Sequence, residues 1–209
     1  MYGSLADFFH IAEELDYVVL RNYEEFSNEH FLADHPDIDL LCKDRELAVN
    51  TLGLMPKIEK DITHYYTRID GKIVMVDLRH VGDGYYCREW ETDMLLNSRR
   101  INGIKILNPE NYYYSLIYHI LIHKMKIKSD YIVRLNKMAE RLSLAKASPN
   151  NYSQVLNKYM SDKGYRYTLP KYTGTICNLN NINLEIADFS RSDYYLRKVK
   201  CLMGVKYLT

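Results

Sequence analysis

The stretch DIDLLC, residues Asp37–Cys42, places two carboxylates at the start of a short apolar run. Side chains at positions i and i+2 of a strand point to the same face, so Asp37 and Asp39 are predicted to lie side by side. Ile38 and Leu40 would then share the opposite face, where they can pack under helices. The stretch therefore predicts a half-buried strand that carries an acidic face.

A second apolar strand, KIVMVDLR at Lys72–Arg79, brings a third acid, Asp77. It is rich in β-branched residues, as a central strand should be, and its alternation puts Asp77 and Arg79 on one face. Three converging carboxylates suit Mg²⁺ or Mn²⁺, hard cations that prefer oxygen ligands and bind alongside substrate phosphates. A neighbouring guanidinium can grip phosphate oxygens. The two strands together indicate metal-dependent transfer of a nucleotidyl or phosphoryl group.

A simpler interpretation of the acid pair exists. The chain has 27 acidic residues, so several acid-x-acid triplets are expected by chance. Asp37 follows Pro36 and could be no more than a residue at the edge of a strand or turn. The third acid at the end of a buried strand favours the functional interpretation, because perturbed, clustered carboxylates are typical of active sites.

Composition limits the class of protein. The 209 residues carry a formal net charge of +1, without the basic excess that drives nucleic-acid binding, so no nucleic-acid partner is expected. The four cysteines form no CxxC pair. No apolar run approaches the roughly 20 residues of a membrane span, and the N-terminus lacks the features of a signal peptide. These observations predict a cytoplasmic protein without a transmembrane segment.

The order of predicted elements indicates an α+β fold. A helix capped by Ser4 and running to about Leu15 precedes alternating strands and helices, and Asp70-Gly71 predicts a hairpin before the second acidic strand. A long apolar helix is predicted over Pro109 to about Lys126, and further helices follow it. We expect an α/β core over residues 1–100, built on a small mixed sheet, and a mainly helical region over residues 101–209.

This order of parts resembles the nucleotidyltransferase fold of the DNA polymerase beta superfamily, over roughly residues 4–80. That pattern is a helix, a strand ending in a Gly-Ser type turn, an acid-x-acid strand and a third acid on a later strand. Leu20–Asn22 stands at the turn, Asp37–Asp39 at the acid pair and Val76–Leu78 at the third acid. More narrowly, the chain resembles bacterial nucleotidyltransferase-like proteins of surface-polysaccharide gene clusters.

The resemblance implies an enzyme that uses Mg²⁺ or Mn²⁺ to move an NMP group from an NTP such as ATP. The acceptor would be a hydroxyl or phosphate of a small molecule, or a protein side chain. The acids would be both catalytic and metal-binding, and four other residues would bind the nucleotide or its phosphates. The acids are Asp37, Asp39 and Asp77, and the phosphate-binding residues are Arg21, Asn22 and Arg79, to which the predicted long helix adds Lys124 at a position from which it could reach a triphosphate.

The turn departs from the family pattern and leaves alternatives open. Arg21-Asn22 stands where the superfamily usually has Gly-Gly or Gly-Ser. Either Arg21 supplies the phosphate contacts with its guanidinium, or the chain is a non-catalytic module that binds a nucleotide or another phosphate ligand. A third alternative is a glycosyltransferase with an Asp-x-Asp metal motif. In those enzymes the apolar strand usually precedes the motif, whereas here it follows.

Overall fold

The computed structural model of the chain describes residues 1–28, 30–33, 36–59, 62–124, 126–169 and 178–202. The chain divides into two compact units. The first contains Met1–Val81 and Glu91–Asn108, and the second contains Gly82–Trp90 and Pro109–Thr209. The domains predicted over residues 1–100 and 101–209 stay a prediction.

Among the described residues of the first unit, seven strands form one mixed sheet in the order β3-β4-β5-β2-β1-β7-β6. The strands are β1 (Tyr17–Arg21), β2 (Asp37–Cys42), β3 (Met55–Pro56), β4 (His64–Ile69), β5 (Lys72–His80), β6 (Arg99–Ile101) and β7 (Ile104–Ile106). The central pair β2–β5 is parallel, as is β1–β7, and the remaining neighbours are antiparallel. The two predicted acidic strands are therefore direct neighbours in the middle of the sheet.

Two tight turns explain the hairpins. Asp70 and Gly71 join β4 to β5 with φ angles of 51° and 70°, and Asn102 and Gly103 join β6 to β7 with φ angles of 50° and 83°. Two-residue hairpin loops with positive φ at both positions match the twist of the flanking strands, and Asp-Gly and Asn-Gly adopt that backbone readily. The predicted hairpin at Asp70-Gly71 is confirmed.

The first unit buries its core on one face of the sheet. Alternate residues of the central strands, such as Leu40 and Val76, pack with helices α1 (Leu5–Ala12) and α2 (Arg45–Thr51). The side chain of Ser4 caps α1 as predicted. The helix ends at Ala12 rather than at Leu15, because the chain turns there through short i to i−3 hydrogen bonds to enter β1. The acidic residues lie on the other face.

Helices make up most of the part of the second unit that the structure describes. They are α4 (Pro109–Ile122), α5 (Ser129–Arg141), α6 (Tyr152–Lys163) and α7 (Arg191–Leu202), while α3 (Arg88–Leu96) spans a boundary between the two units. From Asn111 onward α4 is buried on nearly every side, as expected of a helix that is apolar all round. It ends at Ile122, four residues before the predicted end.

The α+β class is confirmed: a small mixed sheet with helices comes first along the chain, and a helical half follows. In the part of the chain that the structure describes, no helix combines the length and the apolar character needed to cross a membrane.

Candidate metal centre

Strand register brings four polar side chains into one row across the sheet. Asp39 on β2 lies opposite Asp77 on β5, and Asp77 in turn lies opposite His64 on β4. On the other side of Asp39, β1 contributes Arg21. Asp37 lies two residues before Asp39 and so shares its face. Two acids therefore occupy the centre of the row, with one basic side chain at each end.

The three acids form a group that can hold a cation. Asp37, Asp39 and Asp77 each offer one carboxylate oxygen, and these oxygens lie within 4.8 Å of one another. Oxygen donors at such short spacing are the ligand set that Mg²⁺ and Mn²⁺ prefer. The donor set therefore fits the predicted metal, and the three acids would hold it.

A β-bulge puts the guanidinium of Arg21 on the acidic face. Val19 pairs with Leu40 and Arg21 pairs with Asp39, so β1 has one extra residue, Leu20, between two consecutive partners on β2. In a regular strand Leu20 would lie opposite Asp39, and Arg21 would turn to the helix-covered face. The bulge thus reverses the side on which the arginine emerges.

Arg21 and Asp39 form a buried ion pair. The Arg21 Nη2 atom donates to Asp39 Oδ1, and the two side chains are only 9% and 3% exposed. Taking both charges out of water is costly, so each depends on the other for compensation. Removing either partner alone would leave a buried charge with less compensation.

Burial, followed by the crowding of negative charge, raises the pKa of two of the acids. Desolvation, followed by repulsion from Asp39 and Asp77, raises the pKa of Asp37 to about 7, although this residue lies at the exposed start of β2. Desolvation and repulsion from Asp39 also raise the pKa of Asp77, against the opposing effects of His64 and Arg79. The cluster therefore favours bound protons or a bound cation.

We expect the affinity for divalent metal to depend steeply on pH. A metal ligand must be deprotonated, and the Asp37 carboxyl has a pKa of about 7, so Mn²⁺ affinity should rise with pH up to about 7 and level off above it. Below pH 7 the loss should be about tenfold per pH unit for each proton displaced. Calorimetric titration between pH 5.5 and 8.5 measures this. Asp37→Asn should flatten the profile, and a wild-type affinity that does not change with pH would contradict the prediction.

Asn22 adopts a backbone conformation that is usually occupied by glycine. Its φ of 62° and ψ of 13° lie in the left-handed region, at the start of a short 3-10 helix over Tyr23–Ser27. Asparagine tolerates this conformation better than other residues that carry a Cβ. At this residue the turn therefore has the backbone conformation that a glycine would give, although the residue itself is not a glycine.

Two substitutions at Asn22 isolate that backbone effect. Glycine and alanine both remove the amide side chain, but only alanine keeps a Cβ that is strained at positive φ. We therefore expect Asn22→Ala to be about 1 kcal/mol less stable than Asn22→Gly, as measured by urea denaturation. Equal stability of the two variants would show that the turn relaxes out of the left-handed region.

The other predicted phosphate-binding residues are placed as follows. Arg79 is buried on β5 and opposes the rise in the pKa of Asp77, its neighbour on the same face. Lys124 is exposed and follows the end of α4 in the second unit. The roles of Arg21, Asn22, Arg79 and Lys124 stay predictions.

The sequence interpretation missed His64. Its Nε2 atom lies 3.7 Å from Asp77 Oδ1, and its side chain is 40% exposed. The sequence of the hairpin contained the information needed to place this histidine. A two-residue Asp70-Gly71 loop sets Ile69 opposite Lys72, and counting back five residues along β4 sets His64 opposite Asp77. The histidine was overlooked because the register of the hairpin was not followed back to the start of β4.

The first unit also has a cleft of about 480 Å³ between α1, the 3-10 helix and the β6–β7 hairpin. Phe9, Phe26 and Ile104 are among its lining residues, and the three acids are not. A cleft is a common site for small ligands. Here, however, the cluster of carboxylates and its raised pKa values make the acidic face the stronger candidate.

Comparisons with known proteins give little beyond this geometry. No protein-family model matches the chain, and no curated protein sequence does. Among solved structures, the chain is similar to the solution structure of the antibiotic-resistance factor ANT(2'')-Ia, with 13% identity and a TM-score of 0.39, over 74% of this chain and 88% of that one. A TM-score this low supports no inference about this chain.

Proposed function

We propose that the chain is a metal-dependent nucleotidyltransferase that moves an NMP group from an NTP to a hydroxyl or phosphate of a small acceptor. The observation that carries the proposal is the convergence of Asp37, Asp39 and Asp77 within 4.8 Å on one face of the sheet. Two guanidinium groups on the same face, those of Arg21 and Arg79, support it because they match phosphate chemistry.

In the proposed reaction an acceptor oxygen attacks the α-phosphorus of the NTP. The new bond joins that oxygen to the α-phosphorus, and the bond to the oxygen that bridges the α- and β-phosphates breaks, so pyrophosphate leaves. When bound, Mg²⁺ would lower the pKa of the acceptor hydroxyl and neutralise charge on the transferred and leaving phosphates. Asp37 and Asp39 would hold the cation, and Asp77 would help to hold it and would take the acceptor proton.

The electrostatics suit Asp77 to the role of proton acceptor. A general base works best when its pKa approaches the operating pH, and burial with repulsion from Asp39 raises the pKa of Asp77. His64, 3.7 Å away, lies on the far side of Asp77 from Asp39 and limits that rise. We infer that His64 helps to hold the Asp77 carboxylate in place.

A thermal-shift panel tests the proposal. The four NTPs are added with and without Mg²⁺ or Mn²⁺ to the wild type and to the double variant Asp37→Ala/Asp39→Ala. A rise in Tm that needs both metal and NTP, and that the variant lacks, supports a triphosphate site at the acids. Release of pyrophosphate with candidate acceptors then tests turnover. An unchanged wild-type Tm with every NTP and metal would overturn the proposal.

A binding module without turnover is the second candidate, and the Arg21–Asp39 pair favours it because the arginine occupies one proposed metal ligand. Metal-dependent NTP binding without pyrophosphate release, with every acceptor class, would support this alternative. A nucleoside-diphosphate sugar that stabilises the protein more than any NTP would instead support the Asp-x-Asp glycosyltransferase.

A further inference from the structure

The Arg21–Asp39 pair occupies a ligand of the candidate metal centre. Arg21 Nη2 donates to Oδ1 of the Asp39 carboxylate, which is one of the three acids grouped within 4.8 Å. Both side chains are buried, so solvent screens the pair only weakly. A divalent cation and the guanidinium would therefore bind to the same carboxylate.

We propose that Arg21 is a built-in counterion that competes with the divalent cation for Asp39 and moves to the nucleotide's phosphates when it is displaced, so that metal and polyphosphate bind cooperatively. The inference rests on the proposed function and deepens it. It also gives a physical reason for an arginine at the turn.

Charge balance supports the competition. Two guanidinium groups, those of Arg21 and Arg79, act on the three carboxylates, so one negative charge is left over when all three acids are ionised and His64 is neutral. A divalent cation would therefore leave the face with a net positive charge. Positive charge beside a buried Arg21 disfavours binding of metal alone, and an anion that brings its own negative charge relieves the repulsion.

The chemistry of the arginine supports its second position. A guanidinium is planar and always charged, and its fork of N–H donors matches phosphate oxygens as well as it matches a carboxylate. Arg21 is the last residue of β1, and the chain turns away from the sheet at Asn22. The side chain therefore lies at the end of its strand, where it can leave one anion for another without disturbing the strand pairing.

Thermodynamic linkage makes the proposal quantitative. If polyphosphate removes Arg21 from competition at Asp39, it raises the affinity for metal by some factor. Metal must then raise the affinity for polyphosphate by the same factor. The proposal predicts that loss of Arg21 strengthens metal binding. If the arginine only held Asp39 in position, its loss would weaken metal binding instead.

The decisive experiment is calorimetric titration of the metal-free protein with Mn²⁺. The proposal expects Arg21→Gln to bind Mn²⁺ about tenfold or more tightly than the wild type, because a positive charge close to the site is gone. The matched control is Arg100→Gln, which removes the same charge from β6, about 14 Å across the sheet from β2. Arg100 pairs with Glu13, so this control should leave Mn²⁺ affinity unchanged. Weaker or unchanged Mn²⁺ binding by Arg21→Gln overturns the inference.

A second titration, with inorganic tripolyphosphate at saturating Mg²⁺, tests where the arginine goes. Arg21→Gln should bind tripolyphosphate about tenfold or more weakly than the wild type, since a charge-assisted pair is lost. Equal affinity overturns this half of the inference. If Asp39→Asn binds Mn²⁺ as the wild type does, the proposed metal centre itself is wrong, and the two failures are thereby distinguished.

Arg21→Lys is a second variant for the case in which Arg21→Gln does not fold. Such a failure can occur because Arg21→Gln leaves Asp39 buried without its partner. Lysine keeps the positive charge, so its Mn²⁺ affinity should stay within about threefold of the wild type. Its tripolyphosphate affinity should still fall, because an ammonium group cannot form the two parallel hydrogen bonds of a guanidinium. A tripolyphosphate affinity equal to that of the wild type would contradict the proposed transfer.

Discussion

Asp77→Asn is expected to lower the rate of nucleotidyl transfer by at least about a hundredfold, with little change in the fold. The asparagine keeps the size of the side chain but removes a metal ligand and the proposed proton acceptor. Asp77 is a cleaner target than Asp39, because Asp39 also compensates the buried charge of Arg21. The rate is measured as pyrophosphate release with the acceptor that gives the fastest wild-type turnover.

The control for this prediction is Asp16→Asn. Asp16 is an exposed acid just before β1, at the opposite end of that strand from Arg21, and its carboxylate lies 3.7 Å from Lys43 Nζ. Its loss removes the same charge from the same unit and should leave the rate unchanged. If Asp77→Asn, shown to be folded by circular dichroism, turns over at the wild-type rate, Asp77 has no part in the reaction.

Trp90→Ala is expected to cost about 3–5 kcal/mol of unfolding free energy. Trp90 is fully buried in the second unit, and its indole N–H donates to Asn111 Oδ1 at 2.9 Å. Its ring stacks on Tyr165 at a centroid distance of 5.3 Å and meets Tyr86 edge-on at 5.1 Å. The substitution would remove this packing, leave a cavity and delete a buried hydrogen bond.

Urea denaturation followed by circular dichroism measures that cost, since Trp90 is the chain's only tryptophan and its fluorescence is lost in the variant. Trp90→Phe should cost less than Trp90→Ala, because an aromatic ring remains; in both variants Asn111 still accepts from Tyr159 at 3.2 Å. Tyr195→Ala is the exposed-surface control and should change stability by less than about 0.5 kcal/mol. A cost for Trp90→Ala as small as that of the control would contradict the prediction.

The acidic strands could be predicted because strand alternation is local. The period of two assigns Asp37 and Asp39 to one face and Asp77 and Arg79 to one face, and short apolar runs mark both strands. That β2 and β5 are neighbours depends on contacts between residues about forty positions apart. The expectation that three carboxylates share one cation brought the two strands together, and the resemblance to a known fold agreed with it.

Other features could not be predicted because no local pattern encodes them. The bulge at Leu20 shifts the register of β1 by one residue, and a five-residue strand that is buried throughout shows no alternation that would reveal the shift. The parallel pairing of β7 with β1 joins residues far apart in sequence at Val19 and Ile106. The ion pair of Arg21 with Asp39 follows from the bulge and was missed with it.

The bulge in β1 has a consequence for comparing this chain with its relatives. Leu20 is the surplus residue, so a relative with a regular first strand would have the partner of its central acid directly after the residue that matches Val19. A gap-free alignment would set that partner against Leu20 and would match Arg21 to the residue that follows it. A single gap opposite Leu20 instead aligns the relative's partner residue with Arg21. Residues at this turn should therefore be matched by their strand pairing and not by counting along the chain.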